Sequence, residues 1–455
     1  MQNDDYGQAG PVEYYGNNAL QYSGLAEWYI TACMGYLLVE AYFYNFMDHT
    51  LKARAYWFLS LTPWNTWPSA MWFFSFGLLF GIFICLSKKD GLVPIRGKAL
   101  FILLWLVILF GAVHGKIAGY KPWLGTFRQT ILPSAIVFWV VVLAQSIRYE
   151  VILSRFIVIS LPLAVLNVFY AVNFFAGGAI ISKDSLFGAS WYGTFILILA
   201  YLAAFARTIA GQKNARIALI ILFCGIMAPL HKPVMATFAF ANFLLLFLAF
   251  RVRKSGGDIR IGKTFIVIII LLIVGMIGGS IIFGLGNNAA SQYLVDRILK
   301  GGGGGKDLSG GRLGMWVHCL KMWTKNPILG RGLGIRLYGV GEDGIPFALP
   351  IHNLLIQILM ETGLIGFLTL ILAVGGWLRR SFKTLTWETR SDRLWPRLVI
   401  ITWVATMLFS TLFGEPLTVM PIAFIFWMML AFECASHSQM IQWYQMPENP
   451  LDEVS

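Results

Sequence analysis

The chain has 455 residues, of which 58% are hydrophobic, 15% aromatic and only 13% charged, with a formal net charge of +13. Soluble domains carry about a quarter of their residues as charged types, so this composition excludes a soluble globular domain and requires an integral membrane protein. The basic excess invites a nucleic-acid reading, but basic residues beside membrane helices first set topology, and no nucleic-acid partner is expected.

Runs of mostly apolar residues long enough for the roughly 30 Å hydrocarbon core at about 1.5 Å per residue recur along the chain, so the expected fold is all-α. The N-terminal MQNDDYGQAGPVEYYGNNALQYSG has no basic region and no cleavage site; no signal peptide is expected, and the first helix is its own insertion signal. Hydropathy places spans near 25–47, 67–86, 99–115, 127–147, 156–177, 191–206, 216–230, 233–250, 264–286, 353–378, 397–413 and 417–435, twelve in all. Pro229 and Pro233 around His231 and Lys232 predict a tight turn between the seventh and eighth.

With the N-terminus inside, the inner loops carry Lys88, Lys89, Arg96 and Lys98, then Arg148 and Arg155, then Arg207, Lys213 and Arg216. They continue with Arg251, Arg253, Lys254, Arg260 and Lys263, and with Arg379, Arg380, Lys383, Arg390, Arg393 and Arg397, which makes 20 of the 35 basic residues. Short outer loops are sparse in Lys and Arg, as the positive-inside rule asks. The expected organisation is an inner tail over 1–24, nine spans within 25–286, a long outer loop over 287–351 between spans nine and ten, three spans within 352–435, and an inner tail over 436–455. Of the five cysteines only Cys319 falls clearly outside, so no disulfide framework is expected.

The outer loop is the informative exception. It carries Arg297, Lys300, Lys306, Arg312, Lys321, Lys325, Arg331 and Arg336 against Asp296, Asp307, Glu342 and Asp343, a positive excess that topology does not ask for. The run GGGGGKDLSGG at 301–311 cannot hold regular structure and reads as a hinge. Beyond it Leu313, Trp316, Leu320 and Trp323 recur at helical spacing with Asn326-Pro327 as a stop, predicting a short amphipathic helix at the outer interface. Arg312 at its start, beside the positive end of a helix, is a candidate anion site. In ILGRGLGIRLYGVG, glycines surround Arg331 and Arg336, and backbone N–H groups of such a turn can approach an oxyanion; tight turns alone also explain those glycines.

His352 opens the tenth span, and Glu361 lies about 13 Å deeper at 1.5 Å per residue, too far for direct contact. A histidine there reads either as a cap or as a base; Glu361, a costly carboxylate in a membrane helix, is expected to be paired and to orient or support. Arg128 opens the fourth span and Lys232 the eighth. Arg128, Lys232, Arg312 and His352 on one rim would form a diphosphate site. Single interfacial cations otherwise snorkel. Glu40, within the first span, has no assigned role.

IHNLLIQILMETGLIG resembles the bacterial O-antigen ligase motif, met by His352, Asn353, Gly363 and Gly366, and SGGRLGMWVHCLKMWTKNPILGRGLG is similar to the upstream segment of the O-antigen ligase and polymerase superfamily. The close likeness covers about 60 residues. The resemblance implies an inverting, metal-independent glycosyltransferase of the GT-C type, with no cofactor, in the bacterial inner membrane and active on its periplasmic face. Its donor would be an undecaprenyl-diphosphate-linked glycan, its acceptor a sugar hydroxyl of lipid A core or of another glycan, in lipopolysaccharide biosynthesis. By the same resemblance His352 deprotonates or orients the acceptor hydroxyl, Arg312 and Lys232 bind the diphosphate, and Asn353 and Gly363 support. Lys232 stands where the family commonly has an arginine, and it lacks the bidentate fork. A Wzy-type polymerase shares fold and donor. A twelve-helix secondary transporter is the reading from another class, but its midplane sites and internal repeats are not suggested here.

Overall fold

A computed structural model describes residues 27–39, 41, 98–119, 135, 138, 148–175, 183–228, 232–260, 312–335, 337–340, 346–349, 351, 353–387, 391–412, 417 and 420–445. The spans expected near 67–86 and 264–286, the Gly run at 301–311, Glu40 and nearly all of the span near 127–147 lie outside these residues. The helices are α1 (27–39), α2 (Lys98–Ile117), α3 (Tyr149–Phe175), α4 (Lys183–Ile209), α5 (Ala215–Met227) and α6 (Lys232–Lys254). They continue with α7 (Arg312–Trp323), α8 (Leu354–Leu370), α9 (Gly376–Leu385), α10 (Ser391–Ser410) and α11 (Met420–Gln445). A π-helical turn, Ile371–Gly375, joins α8 to α9 without interrupting the rod. Among the described residues four helices are long and apolar enough to cross a membrane: Ala99–Ile117, Tyr149–Phe169, Pro233–Lys254 and Leu354–Leu385. The protein is a multi-pass membrane protein built of helices. Two helices, α5 and α6, occupy 215–254, as the proline pair predicts.

The centre of the bundle is α4. From Phe195 to Ala206 every residue is buried, which an apolar helix permits only when neighbours cover all its faces. Among the described residues those neighbours are α3, α5, α6 and α10, with a smaller contact from α11. Small residues set the closest approach: a Cβ on Gly225 of α5 would collide with Ala164 of α3, and the Asn167 amide donates to the Gly225 carbonyl at 3.0 Å across that crossing. Such small-residue contacts let helices associate where lipid offers no hydrophobic gradient. Tyr201 of α4 donates to the Asn242 side chain of α6 at 2.7 Å, so the hydroxyl it buries is satisfied.

Helix ends meet in two groups. Glu27 at the start of α1 holds Arg148 at the start of α3, with Nε–Oε1 at 2.8 Å and NH2–Oε2 at 3.1 Å, and the Arg155 guanidinium lies 4.0 Å over the Trp28 ring. Arg397 of α10, counted from sequence as a topological charge of an inner loop, is in fact 1% exposed. It binds the buried Glu433 carboxylate through NH2 at 2.6 Å and the Thr384 hydroxyl at 3.1 Å, tying α9, α10 and α11 together. The other group comprises the C-terminal end of α2, the starts of α7 and α8, and the end of α10, whose Thr411 carbonyl accepts the Leu354 N–H at 3.2 Å.

The outer segment departs from an all-helical expectation in one element. Leu337–Val340 (β1) and Pro346–Leu349 (β2) pair antiparallel, in register Leu337 to Leu349 and Val340 to Pro346. The helix predicted after the Gly run is present as α7, but with a different buried face. Trp316 donates its indole N–H to the Ile351 carbonyl at 2.9 Å, and Cys319 is buried with Ile335, Ile351 and Met360. Leu313 and Leu320, expected on the same stripe as Trp316, are exposed with Val317. Both sides of α7 are apolar, and contact with α8 selects the tryptophan–cysteine side.

Candidate active site

The site is organised by a break in α8. Gly363 has φ 64° and ψ −164°, inside what is otherwise a continuous helix. This region is accessible essentially to glycine alone. The break frees the Met360 and Glu361 carbonyls and the Leu364 and Ile365 N–H groups from the helical ladder, and buried backbone groups must find partners. The loop after α7 supplies them. Arg331 N–H donates to Met360 O and Gly332 N–H to Glu361 O, each at 2.9 Å, while Leu364 N–H donates to Pro327 O at 2.9 Å and Ile365 N–H to Ile328 O at 3.3 Å. The N-P-I-L-G-R-G-L-G segment thus completes the hydrogen bonding of the broken helix.

Glu361 closes the same junction. It is 5% exposed, and its Oε1 accepts the Gly334 N–H at 3.2 Å and the Gln357 amide at 3.3 Å. Glu361 is paired, as expected, and these two bonds make it an anchor of the loop on α8. On its far side the loop lies against α2: Leu333 N–H donates to Gly111 O at 2.9 Å. At Gly332, φ is 97° and a Cβ would come within 2.6 Å of the Gly115 Cα, so glycine on both chains permits the contact.

The loop carries Arg331, half-buried, at the point where it enters the α8 break. Asn353 is the N-cap of α8; in extended conformation it accepts the Ile356 N–H through its side-chain oxygen at 3.1 Å, the usual reason for asparagine at such a position. Ile335 and Ile351, which flank the hairpin, both bury against α7 and α8. The two chain segments bracketing the hairpin are therefore fixed beside the N-terminal half of α8, next in sequence to residue 352.

Of the other expected site residues, Lys232 and Arg312 are the first residues of α6 and α7, in agreement with their predicted places at helix starts. Their side-chain positions, and Arg128, Arg336 and His352 altogether, lie outside the described residues. The structure brings Arg331, Glu361 and Gly363 together at the α8 break, while Asn353 caps the start of the same helix about two turns away. It also adds the end of α2, which the sequence reading did not single out. The signal for it is Gly111-x-x-x-Gly115, the small-residue spacing of close helix contacts, one turn from the helix end.

Fold and junction define a multi-pass helical membrane protein in which the loop after α7 is built into a broken helix. Residues 217–371, about a third of the chain, match the family model for O-antigen ligases, so this stretch is similar to that family. The match begins in α5, takes in Lys232, Arg312, the Gly-rich loop, His352 and the α8 break, and ends at the π turn. No curated protein matches the chain.

Proposed function

We propose that the protein is an O-antigen ligase: an inverting, metal-independent glycosyltransferase of the inner membrane that moves a glycan from undecaprenyl diphosphate to a sugar hydroxyl of lipid A core. The observation that carries this reading is the seating of the Gly-rich loop in the α8 break, within the family-matched stretch, which fixes Arg331 and the segment leading into His352 on one framework. The acceptor oxygen attacks the anomeric carbon of the donor; the bond from that carbon to the diphosphate oxygen breaks, and the diphosphate leaves with the electron pair. His352 takes or orients the acceptor proton. Arg312, Lys232, Arg128, Arg331 and Arg336 stabilise the negative charge that grows on the leaving group, the principal device available when the leaving group is already a good one.

The test uses purified protein, undecaprenyl-diphosphate-linked glycan and lipid A core. Wild type should yield glycosylated core, and His352→Ala and Arg312→Ala should each lower transfer by at least about a hundredfold, as loss of a proton-transfer group or a charge stabiliser does. Normal transfer by both variants would refute the site. Chain growth on the lipid carrier in the absence of core would instead assign a Wzy-type polymerase.

A further inference from the structure

One group beside the junction has no part in that reading. His114 lies near the end of α2, half-buried, and its Nδ1 is buried without a hydrogen-bond partner among the described residues. Its backbone abuts Gly332 of the loop, since a Cβ at Gly332 would sit 2.9 Å from the His114 carbonyl carbon. One helical turn towards the membrane, the Phe110 ring lies 6.3 Å from the imidazole. Phe110 in turn lines a cleft of about 270 Å³ with Leu106, Gly111, Leu329 and Ile365. Leu106, Phe110, Leu329 and Ile365 are 56%, 51%, 46% and 42% exposed, so the cleft opens sideways, towards the bilayer.

An apolar cleft open to lipid, with an imidazole one helical turn beyond its Phe110 wall, Lys116 on the same helix end and Arg331 on the adjoining loop, suits a chain with an anionic head. We propose that His114 is a further donor-binding residue: Nδ1 hydrogen-bonds a phosphate oxygen of the polyprenyl diphosphate, whose head-proximal chain lies in the α2–Leu329 cleft. This inference rests on the ligase reading for the identity of the lipid. It connects a buried ring nitrogen that has no hydrogen-bond partner among the described residues with an apolar cleft one turn below it. Buried polar groups are normally satisfied, and those that are not call for a ligand or water.

The experiment measures binding of glycan-free undecaprenyl diphosphate to the purified full chain in phosphatidylcholine nanodiscs. His114→Phe should weaken binding about tenfold, the scale of one hydrogen bond to a charged group. His114→Gln, which can still hydrogen-bond, should stay within about threefold of wild type by the same measure. Leu329→Trp, which fills the cleft without touching the imidazole, should weaken binding independently and covers the case in which His114→Phe does not fold. In steady state the same variants should raise the donor KM and leave kcat nearly unchanged. Wild-type binding by His114→Phe and Leu329→Trp would overturn the inference, and so would equal competition by phosphatidylglycerol, which would assign the cleft to bulk lipid. Wild-type protein that binds undecaprenyl diphosphate but transfers nothing would refute the ligase reading and leave the cleft assignment standing.

Discussion

Replacing Gly363 by alanine separates the junction from ordinary helix packing. The new Cβ would be held at φ 64° and would collide with the backbone of Ile328 and Gly330. Backbone strain of this kind costs about 1–3 kcal/mol. Relief requires the loop to leave the break, and with it the bonds from Arg331, Gly332, Leu364 and Ile365 N–H. At about 1 kcal/mol each those four bonds add about 4 kcal/mol, so the loop-docking equilibrium should shift by roughly a thousandfold or more. Hydrogen exchange in nanodiscs reads this directly: the Gly332 and Leu333 amides should exchange at least about a thousandfold faster in Gly363→Ala, while α4 amides stay protected. Gly375→Ala on the same rod is the control, because its Cβ would meet nothing within 4 Å and its φ is −66°. Unchanged exchange at Gly332 in Gly363→Ala, or equal effects of the two substitutions, would refute the account of loop and helix as one hydrogen-bonded unit.

Other substitutions test neighbouring parts. Asn353→Ala should cost about 0.5–2 kcal/mol of local stability at the α8 start and Asn353→Ser much less, measured by exchange of the Ile356 amide. Arg397→Met leaves the Glu433 carboxylate buried without its guanidinium and should destabilise by about 3–5 kcal/mol in a thermal melt; adding Glu433→Leu should recover most of the loss, because the penalty belongs to the unpaired charge.

The sequence reads best where an element carries its own signal. The α5–α6 turn shows through Pro229 and Pro233, and α7 through its periodicity and the Asn326-Pro327 stop. Residues at helix starts, Arg312, Lys232 and Asn353, are legible for the same reason. Contacts between segments are not. Periodicity could not choose the buried face of α7, since Trp316 and Leu313 are both apolar and only Ile351 and Met360 decide between them. Glu361 was recognisable as a costly carboxylate, yet its Gly334 partner is a backbone N–H 27 residues upstream that no side-chain pattern records. Arg397 looked like one more inner-loop cation because its partner Glu433 lies 36 residues on in another helix. The β-hairpin escaped notice because LYGV and PFAL are four-residue strands, near the lower limit of strand length.

The α8 break also sets where this protein can be cut and recombined. Because the carbonyls opened by Gly363 accept from Arg331 and Gly332, and the freed Leu364 and Ile365 N–H groups donate to Pro327 and Ile328, each segment completes the backbone bonds of the other. A chimera that takes the outer loop from one relative and the following helix from another would join two incomplete halves, whereas a crossover ahead of Arg312 would transfer them intact. Loop and helix therefore act as one hydrogen-bonded unit, in which a change to either part is felt by the other.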